Sequence, residues 1–357
     1  MNVGSELQRR RAPWWRRHWI VILVATVLFG LAADALWVEP ENIQVTHYEI
    51  PAGVSSPLKI AQLSDLHTRG LGRPERKMLA ILAREKPDVI LITGDTLADP
   101  FGNYQDCLKV YKQLHAPLGV WFVRGNWENW HPVRHERQFY RDAGIHLLVN
   151  QNHELRPHVW VAGLDDPYSG FANLNSALKG IPKDAYTILM FHSPGYFDQA
   201  AGYANLCLAG HTHGGQVRIP FVKPFWLPLG SGRFLQGWYE EKGSRMYVSR
   251  GIGMSNLPVR FVCRPEVTFI TLEPQLPRNA AVILPAFTLS SPSHLYRIGQ
   301  FFLGEPDDAG SSTALALRFA ASCSVFLRVY STARSQGTKH RRAGCTRRME
   351  RGGANLV

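Results

Sequence analysis

Seven residues of this chain carry donor atoms suited to metal-centred chemistry: Asp65, His67, Asp95, Asn126, His192, His211 and His213. They follow five short apolar runs, "LKIAQL" (58–63), "DVILIT" (88–93), "VWFV" (120–123), "TILMF" (187–191) and "LCLA" (206–209). Carboxylate, carboxamide and imidazole together suit borderline divalent metals such as Mn, Fe, Zn or Co. Asp65 and His67 lie two apart, so in extended chain both side chains point the same way. His211 and His213 repeat that spacing within "GHTHGG". Gly94, Gly125, Gly210, Gly214 and Gly215 permit tight turns and close backbone approach beside them. Any one Asp could cap a helix, and any one His could be an ordinary surface residue. Five matched run ends make chance placement a poor explanation.

These donors need elements that bring the run ends together. From about residue 45 the apolar runs alternate with amphipathic stretches, as β-α units do. Residues 104–114 and the stretch around Met78, Leu79, Ile81 and Leu82, with Pro74 near its start, read as helices. "VWVAGLDD" (159–166), "MYVSRGIG" (246–253) and "VTFITLE" (267–273) read as further strands. In open α/β sheets, ligand sites form beyond the carboxyl ends of the strands. One shared site at that edge follows.

The net charge of +12 suggests nucleic acid, but its distribution does not. Residues 1–19 hold +4 and residues 275–357 hold +7, which leaves +1 for 20–274. The body is nearly neutral and the basic excess lies in the tails, so specific nucleic-acid binding is not expected. The five cysteines, Cys107, Cys207, Cys263, Cys323 and Cys345, are far apart and never form C-x-x-C. They read as buried free thiols rather than as disulfides or a zinc ribbon.

Residues 1–18 form a basic segment, and 19–38 read "WIVILVATVLFGLAADALWV" with a single charge, Asp34. Twenty helical residues reach about 30 Å, one bilayer core. Arginines before the span favour a cytoplasmic N-terminus with the rest outside, in a bacterial inner membrane. The span reads as an uncleaved anchor. Its rival is a removed signal peptide, with Ala33-Asp34-Ala35 as the cleavage site.

"SDLH" (64–67), "GD" (94–95), "GN" (125–126), the run-ending His192 and "GHTH" (210–213), in this order, resemble the calcineurin-like metallophosphoesterases, in their membrane-associated or exported bacterial branch. The resemblance covers residues 45–274. It implies a two-layer βαβ sandwich of the α/β class and two divalent metal ions. Asp65, His67 and His213 would hold one metal, Asn126, His192 and His211 the other, and Asp95 would bridge both. Asp95, Asn126 and His192 would be the catalytic members. A hydroxide shared by the metals would attack phosphorus in line. The expected reaction is hydrolysis of a phosphodiester or pyrophosphate, in a small-molecule, lipid-linked or nucleotide-lipid substrate.

One position departs from that pattern. The family's third motif commonly continues Gly-Asn-His, and here the histidine is Trp127, whose indole N–H can only donate a hydrogen bond. Either the leaving group needs no acid, or another group such as His131 helps, or the chain is a non-catalytic metal- or phosphate-binding module. Glu128 keeps the acidic position and is expected to orient a neighbouring ligand. Arg124 reads equally as a phosphate contact or a surface arginine. Asp165 and Asp166 read as caps of the next helix rather than as members of the site. Residues 219–239, rich in Pro, Gly and aromatics, read as a long loop that meets either substrate and bilayer or its own packed interior. Residues 275–357 read as a disordered basic tail.

Overall fold

The computed structural model describes residues 14–97, 104–255 and 257–275. The basic tail lies outside them, except for residue 275, as does most of the basic N-terminal segment.

Strands alternate in facing because successive side chains point to opposite sides. That rule builds the whole body. Twelve strands form two six-stranded sheets. The first sheet has the order β1 (Gln44–Ala52), β12 (Glu266–Pro274), β2 (Leu58–Leu63), β3 (Val89–Thr93), β4 (Val120–Val123) and β5 (Ile145–Leu147). The second has the order β10 (Gly237–Glu241), β11 (Ser244–Val248), β9 (Leu206–Ala209), β8 (Tyr186–Met190), β7 (Val159–Gly163) and β6 (Gln151–Arg156). Leu58, Ile60, Val89, Leu91, Trp121 and Val123 of the first sheet share one core with Val161, Ile188, Met190, Leu206 and Leu208 of the second. The residues between them face outward. Ala61, Leu63, Ile90, Ile92 and Phe122 pack under helices, and Leu189, Cys207 and Ala209 enter a third cluster. The expected two-layer sandwich is therefore formed by sheet on sheet. Continuous apolar runs result because the inner strands are buried on both faces.

Strands β2, β3 and β4 are mutually parallel, and so are β7, β8, β9 and β11. Their carboxyl ends carry all the candidate donors. The intervening helices begin with α1 (Trp14–Ala33), followed by α2 (Arg73–Glu85), α3 (Tyr104–Tyr111), α4 (Asn126–Trp130) and α5 (Glu136–Asp142). In α2, Met78 and Leu82 are buried, and Glu75 reaches back to accept the Gly72 N–H at 2.9 Å. Lys86, left-handed at φ 48°, ends it.

Helix α1 continues through a π turn, Asp34–Val38, and a 3-10 turn, Glu39–Glu41. The helical segment His18–Glu41 is long and apolar enough to cross a membrane. Its side chains from Trp19 to Leu31 are exposed rather than packed on the body. Apolar residues all round, without protein cover, are what lipid rather than a soluble core accommodates. Cys107, Cys207 and Cys263 are buried free thiols, as expected.

Candidate dinuclear metal centre

All seven candidate donors are buried and lie at the strand ends. Asp65, His67 and His213 place one donor atom each within 4.8 Å of one another, and Asp95, His192 and His211 do the same. Asp95 Oδ2 lies between the groups, 3.2 Å from His192 Nε2 and 3.6 Å from His67 Nε2. Asp65 Oδ1 is 3.3 Å from His213 Nε2. Asn126 Oδ1 is 3.1 Å from His192 Nε2.

The backbone holds this cluster in an uncommon shape. Asp65, His67, Asp95, His211 and His213 all have positive φ, between 41° and 73°. Each such residue costs about 1–3 kcal/mol and persists only where surrounding contacts over-determine it. The contacts are visible. Asp65 N–H donates to Gly94 O at 3.0 Å, and His67 N–H donates to Asp95 O at 3.1 Å. The chain leaving β2 is thereby laced to the chain leaving β3. Gly94 is compelled to be glycine, because a Cβ there would sit 2.4 Å from His192 Nδ1.

Hydrogen bonds then set the direction of each donor. Asp65 accepts from Ser64 Oγ at 2.6 Å and from the His211 N–H at 3.0 Å. Asp95 Oδ1 accepts the Trp127 N–H at 2.9 Å, which leaves Oδ2 facing the imidazoles. His192 Nδ1 lies 2.6 Å from Thr93 O, and His211 Nε2 lies 2.9 Å from Leu229 O. Donation to Leu229 O frees Nδ1 of His211, and donation to Thr93 O turns Nε2 of His192 towards Asn126 and Asp95. Glu128 carries out the orienting role expected of it. Its carboxylate accepts the N–H groups of Gly125 (2.8 Å), Asp95 (3.0 Å) and Thr96 (2.7 Å), binding the end of β3 to the start of α4.

The residues fit a pair of cations. His67 Nε2 and His213 Nε2 face each other at 3.2 Å, and the buried His213 Nδ1 has no hydrogen-bond partner among the described residues. Burial holds His67, His211 and His213 below the ordinary imidazole value, with His213 lowered to about 3. They are neutral, the form in which a ring nitrogen can coordinate. His192 goes the other way. Burial lowers it, but the Asp95 and Asp65 carboxylates outweigh burial and raise it well above its ordinary value. The pocket thus combines neutral nitrogen donors with two buried carboxylates that favour positive charge.

Several sequence-based expectations change here. Arg124 does not face the cluster. Its Nε donates to both Glu136 oxygens, at 3.1 and 3.0 Å, and Asp165 lies 3.7 Å from its Nη1. Asp165 and Asp166 cap no helix; Asn173 caps the next one, accepting from the Ser176 N–H. Asp165 accepts from Asn129 Nδ2 and the Phe171 N–H instead, and Asp166 accepts from Ser169 and Ser193. Asp166 also lines the cavity that Asp95, Asn126, His211 and His213 line. His131 stays off that lining, with its ring 5.6 Å from the Trp127 ring. The Trp127 ring stands edge-on to His67, centroids 5.2 Å apart, and forms part of the cavity wall.

The residues that sequence reasoning missed act mostly through backbone. The carbonyls of Thr93 and Leu229 aim two histidines, and no side-chain identity encodes that. Arg260 is fully buried and donates to the carbonyls of Arg250, Gly251, Gly253 and Cys263. It clamps the loop after β11, where the Gly253 N–H donates to Asp65 O at 2.7 Å.

Residues 58–215 match the family model for calcineurin-like phosphoesterases. The uncharacterized metallophosphoesterase YkuE of Bacillus subtilis is 30% identical over 272 residues, covering 69% of this chain and 95% of the relative. An uncharacterized metallophosphoesterase of Aquifex aeolicus is 28% identical, with 67% and 94% covered. A Bos taurus transmembrane protein with metallophosphoesterase domain is 30% identical over 302 residues, covering 76% of this chain and 65% of that protein.

Proposed function

The chain belongs to the calcineurin-like phosphoesterase family, and from that premise we propose that this metal-dependent phosphoesterase hydrolyses a phosphodiester or pyrophosphate bond. The observation that carries this reading is the meeting of two donor groups across Asp95. Asp65, His67 and His213 would hold one divalent ion, and Asn126, His192 and His211 the other, with Asp95 shared. Mn, Fe, Zn and Co all accept such donors. Bound ions would activate water, clamp phosphoryl oxygens and neutralise developing charge.

The chain's own residues set the geometry and restrict the leaving group. Asp95, Asn126 and His192 form the catalytic core, with Asp95 aimed by the Trp127 N–H and by Glu128. Trp127 stands where the family's usual histidine would protonate a departing oxygen. An indole cannot do so. The favoured substrates are therefore those whose leaving group departs without a proton, such as a pyrophosphate or an aryl phosphodiester.

With Mn²⁺, the purified chain should cleave aryl phosphodiesters and pyrophosphates far faster than alkyl phosphodiesters. Trp127→His should narrow that gap by about a hundredfold, the low end of general-acid contributions. Equal rates on aryl and alkyl substrates in the wild type would rule out the leaving-group argument. Tight phosphate binding by metal-loaded protein without turnover of any ester or pyrophosphate would favour the second reading, a non-catalytic binding module, which Trp127 motivates.

The catalytic domain would comprise residues 45–274, carried by the N-terminal helix in a bacterial inner membrane. Arg9, Arg10, Arg11, Arg16 and Arg17 precede the span, which supports a cytoplasmic N-terminus and a body on the outer side. Protease added to intact spheroplasts should then digest the body; protection until lysis would reverse this topology.

A further inference from the structure

The metal cluster forms one end of a cavity of about 770 Å³. That is the size of a pocket for a drug-sized ligand, well beyond the needs of a phosphoryl group alone. Asp95, Asn126, His211 and His213 line its polar end. Trp127, Trp130, Phe225, Trp226, Leu229 and Leu257 add apolar surface to the lining, beside the polar Asp166, Ser169, Gln216 and Ser255. Phe225 is 80% exposed, Trp226 62%, Leu229 87% and Leu257 62%. An apolar patch of this kind beside a ligand cavity marks a contact surface and not ordinary scatter.

The same wall is joined to the foot of the membrane helix. Val217 bridges Phe261, and the Arg218 N–H donates to Phe261 O at 2.8 Å. One residue on either side of Phe261, the Arg260 N–H donates to Ala35 O at 3.0 Å and the Val262 N–H donates to Glu39 Oε2 at 2.8 Å. Cys263 completes the link. Its N–H donates to Glu39 Oε1, and its Sγ lies 3.2 Å from His213 O. A single residue therefore touches both the end of the membrane helix and a residue of the metal cluster. The foot of the apolar helix is thereby tied through residues 260–263 to His213, which lines the cavity. The exposed Phe225, Trp226 and Leu229 of the lining share one loop with the exposed Lys223, a mixture characteristic of interfacial segments.

We propose that the substrate is an amphiphile taken from the bilayer that holds the N-terminal helix. Its hydrocarbon part lies along Phe225, Trp226, Leu229 and Leu257 while its phosphoryl group reaches Asp95, Asn126 and His211. The proposal rests on the phosphoesterase reading and names its substrate class. The reaction balances with water alone: the water oxygen bonds to phosphorus, one P–O bond breaks, and the released proton remains in solution or on the departing oxygen. The bridge from Leu229 to the site is direct, since its carbonyl faces His211 Nε2 at 2.9 Å.

The test uses the full chain with Mn²⁺ in a maltoside detergent, which contains no phosphate. Affinities for n-alkylphosphonates from ethyl to octyl are measured by calorimetry. Turnover of bis-p-nitrophenyl phosphate is measured in parallel. Each methylene fully withdrawn from water adds about fourfold in affinity, so partial burial should give at least about tenfold from ethyl to octyl. The double variant Phe225→Ser, Leu229→Ser should cut that gain to less than about threefold, because the wall no longer excludes water. Equal affinity across the series, with aryl turnover intact, would overturn the proposal in favour of a water-soluble substrate and leave the phosphoesterase reading standing. A gain that persists in the double variant would also overturn it. Loss of both phosphonate binding and aryl turnover in the wild type would instead defeat the phosphoesterase reading, and this proposal with it.

Discussion

Asp95→Asn is expected to lower turnover by on the order of 10²–10³-fold, the range for removing one group that stabilises developing charge, while leaving the fold intact. Asp95 is 2% exposed, and its two oxygens have separate tasks. Oδ1 accepts the Trp127 N–H, whereas Oδ2 faces His192 and His67. Burial raises the Asp95 carboxyl, but the charge and hydrogen bond of His192 outweigh burial and hold it well below the usual carboxylate range. The residue is therefore a charge at every pH near neutrality. Asparagine preserves the shape and can still accept from Trp127. It removes the charge and turns an N–H₂ towards the imidazole nitrogens where a lone pair stood. Bound metal should fall from two ions per chain to one or fewer. Elemental analysis, circular dichroism and the aryl phosphodiester assay check the three parts. A variant that keeps two ions, or more than about half the wild-type rate, would contradict the shared role of Asp95 and the charge argument behind it.

Gly125→Ala should be nearly as damaging, although it removes no donor. Gly125 has ordinary extended geometry, φ −100° and ψ −171°, so backbone strain is not the reason. Space is. A Cβ at this position would lie 2.2 Å from Asp95 Oδ1 and 2.6 Å from Asp95 N. Backbone cannot swing aside as a side-chain tip can, so the ends of β3 and β4 must separate. That displacement breaks the Trp127 N–H bond to Asp95 and loosens the Glu128 carboxylate from its N–H donors. Misplacing catalytic groups by about 1 Å costs about 10²-fold in rate. Activity should drop by about that factor or more, with weaker metal binding and an unchanged circular dichroism spectrum. Gly53→Ala is the control, because a Cβ there meets nothing within 4 Å. Gly125→Ala activity within about threefold of that control would sink the packing argument.

The inner strands were legible because they are buried on two faces. "LKIAQL", "VWFV" and "LCLA" coincide with β2, β4 and β9. The outer strands were less so. β5 is short, and β6 and β10 are mostly half-buried or exposed, so their sequences lack the continuous apolar signal that burial imposes. Asp165 and Asp166 depart from the expected capping role, and Arg124 stays undecided in sequence, for a related reason. A polar residue after a strand can serve a turn, a cap, an ion pair or a site, and only its neighbours in space distinguish them. Arg260 gave no signal at all: a fully buried arginine satisfied by backbone carbonyls looks, in sequence, like any surface arginine.

By itself the sequence determined the donor types, their order, the strands that carry the inner site and an apolar N-terminal span, since those follow from local composition and period. The family resemblance, read on the same residues, implies that Trp127 stands where an acid histidine is usual. Tertiary structure decided the rest. It brought the ends of β2, β3, β4, β8 and β9 into one cluster, set Asp95 between two groups, and aimed His192 and His211 with carbonyls 99 and 18 residues away. It also joined the foot of the apolar N-terminal helix to His213 through Cys263. Such relations depend on which chain segments meet, and donor strength, charge and access all fall off within a few ångströms. A linear pattern carries the groups; only folding supplies the distances between them.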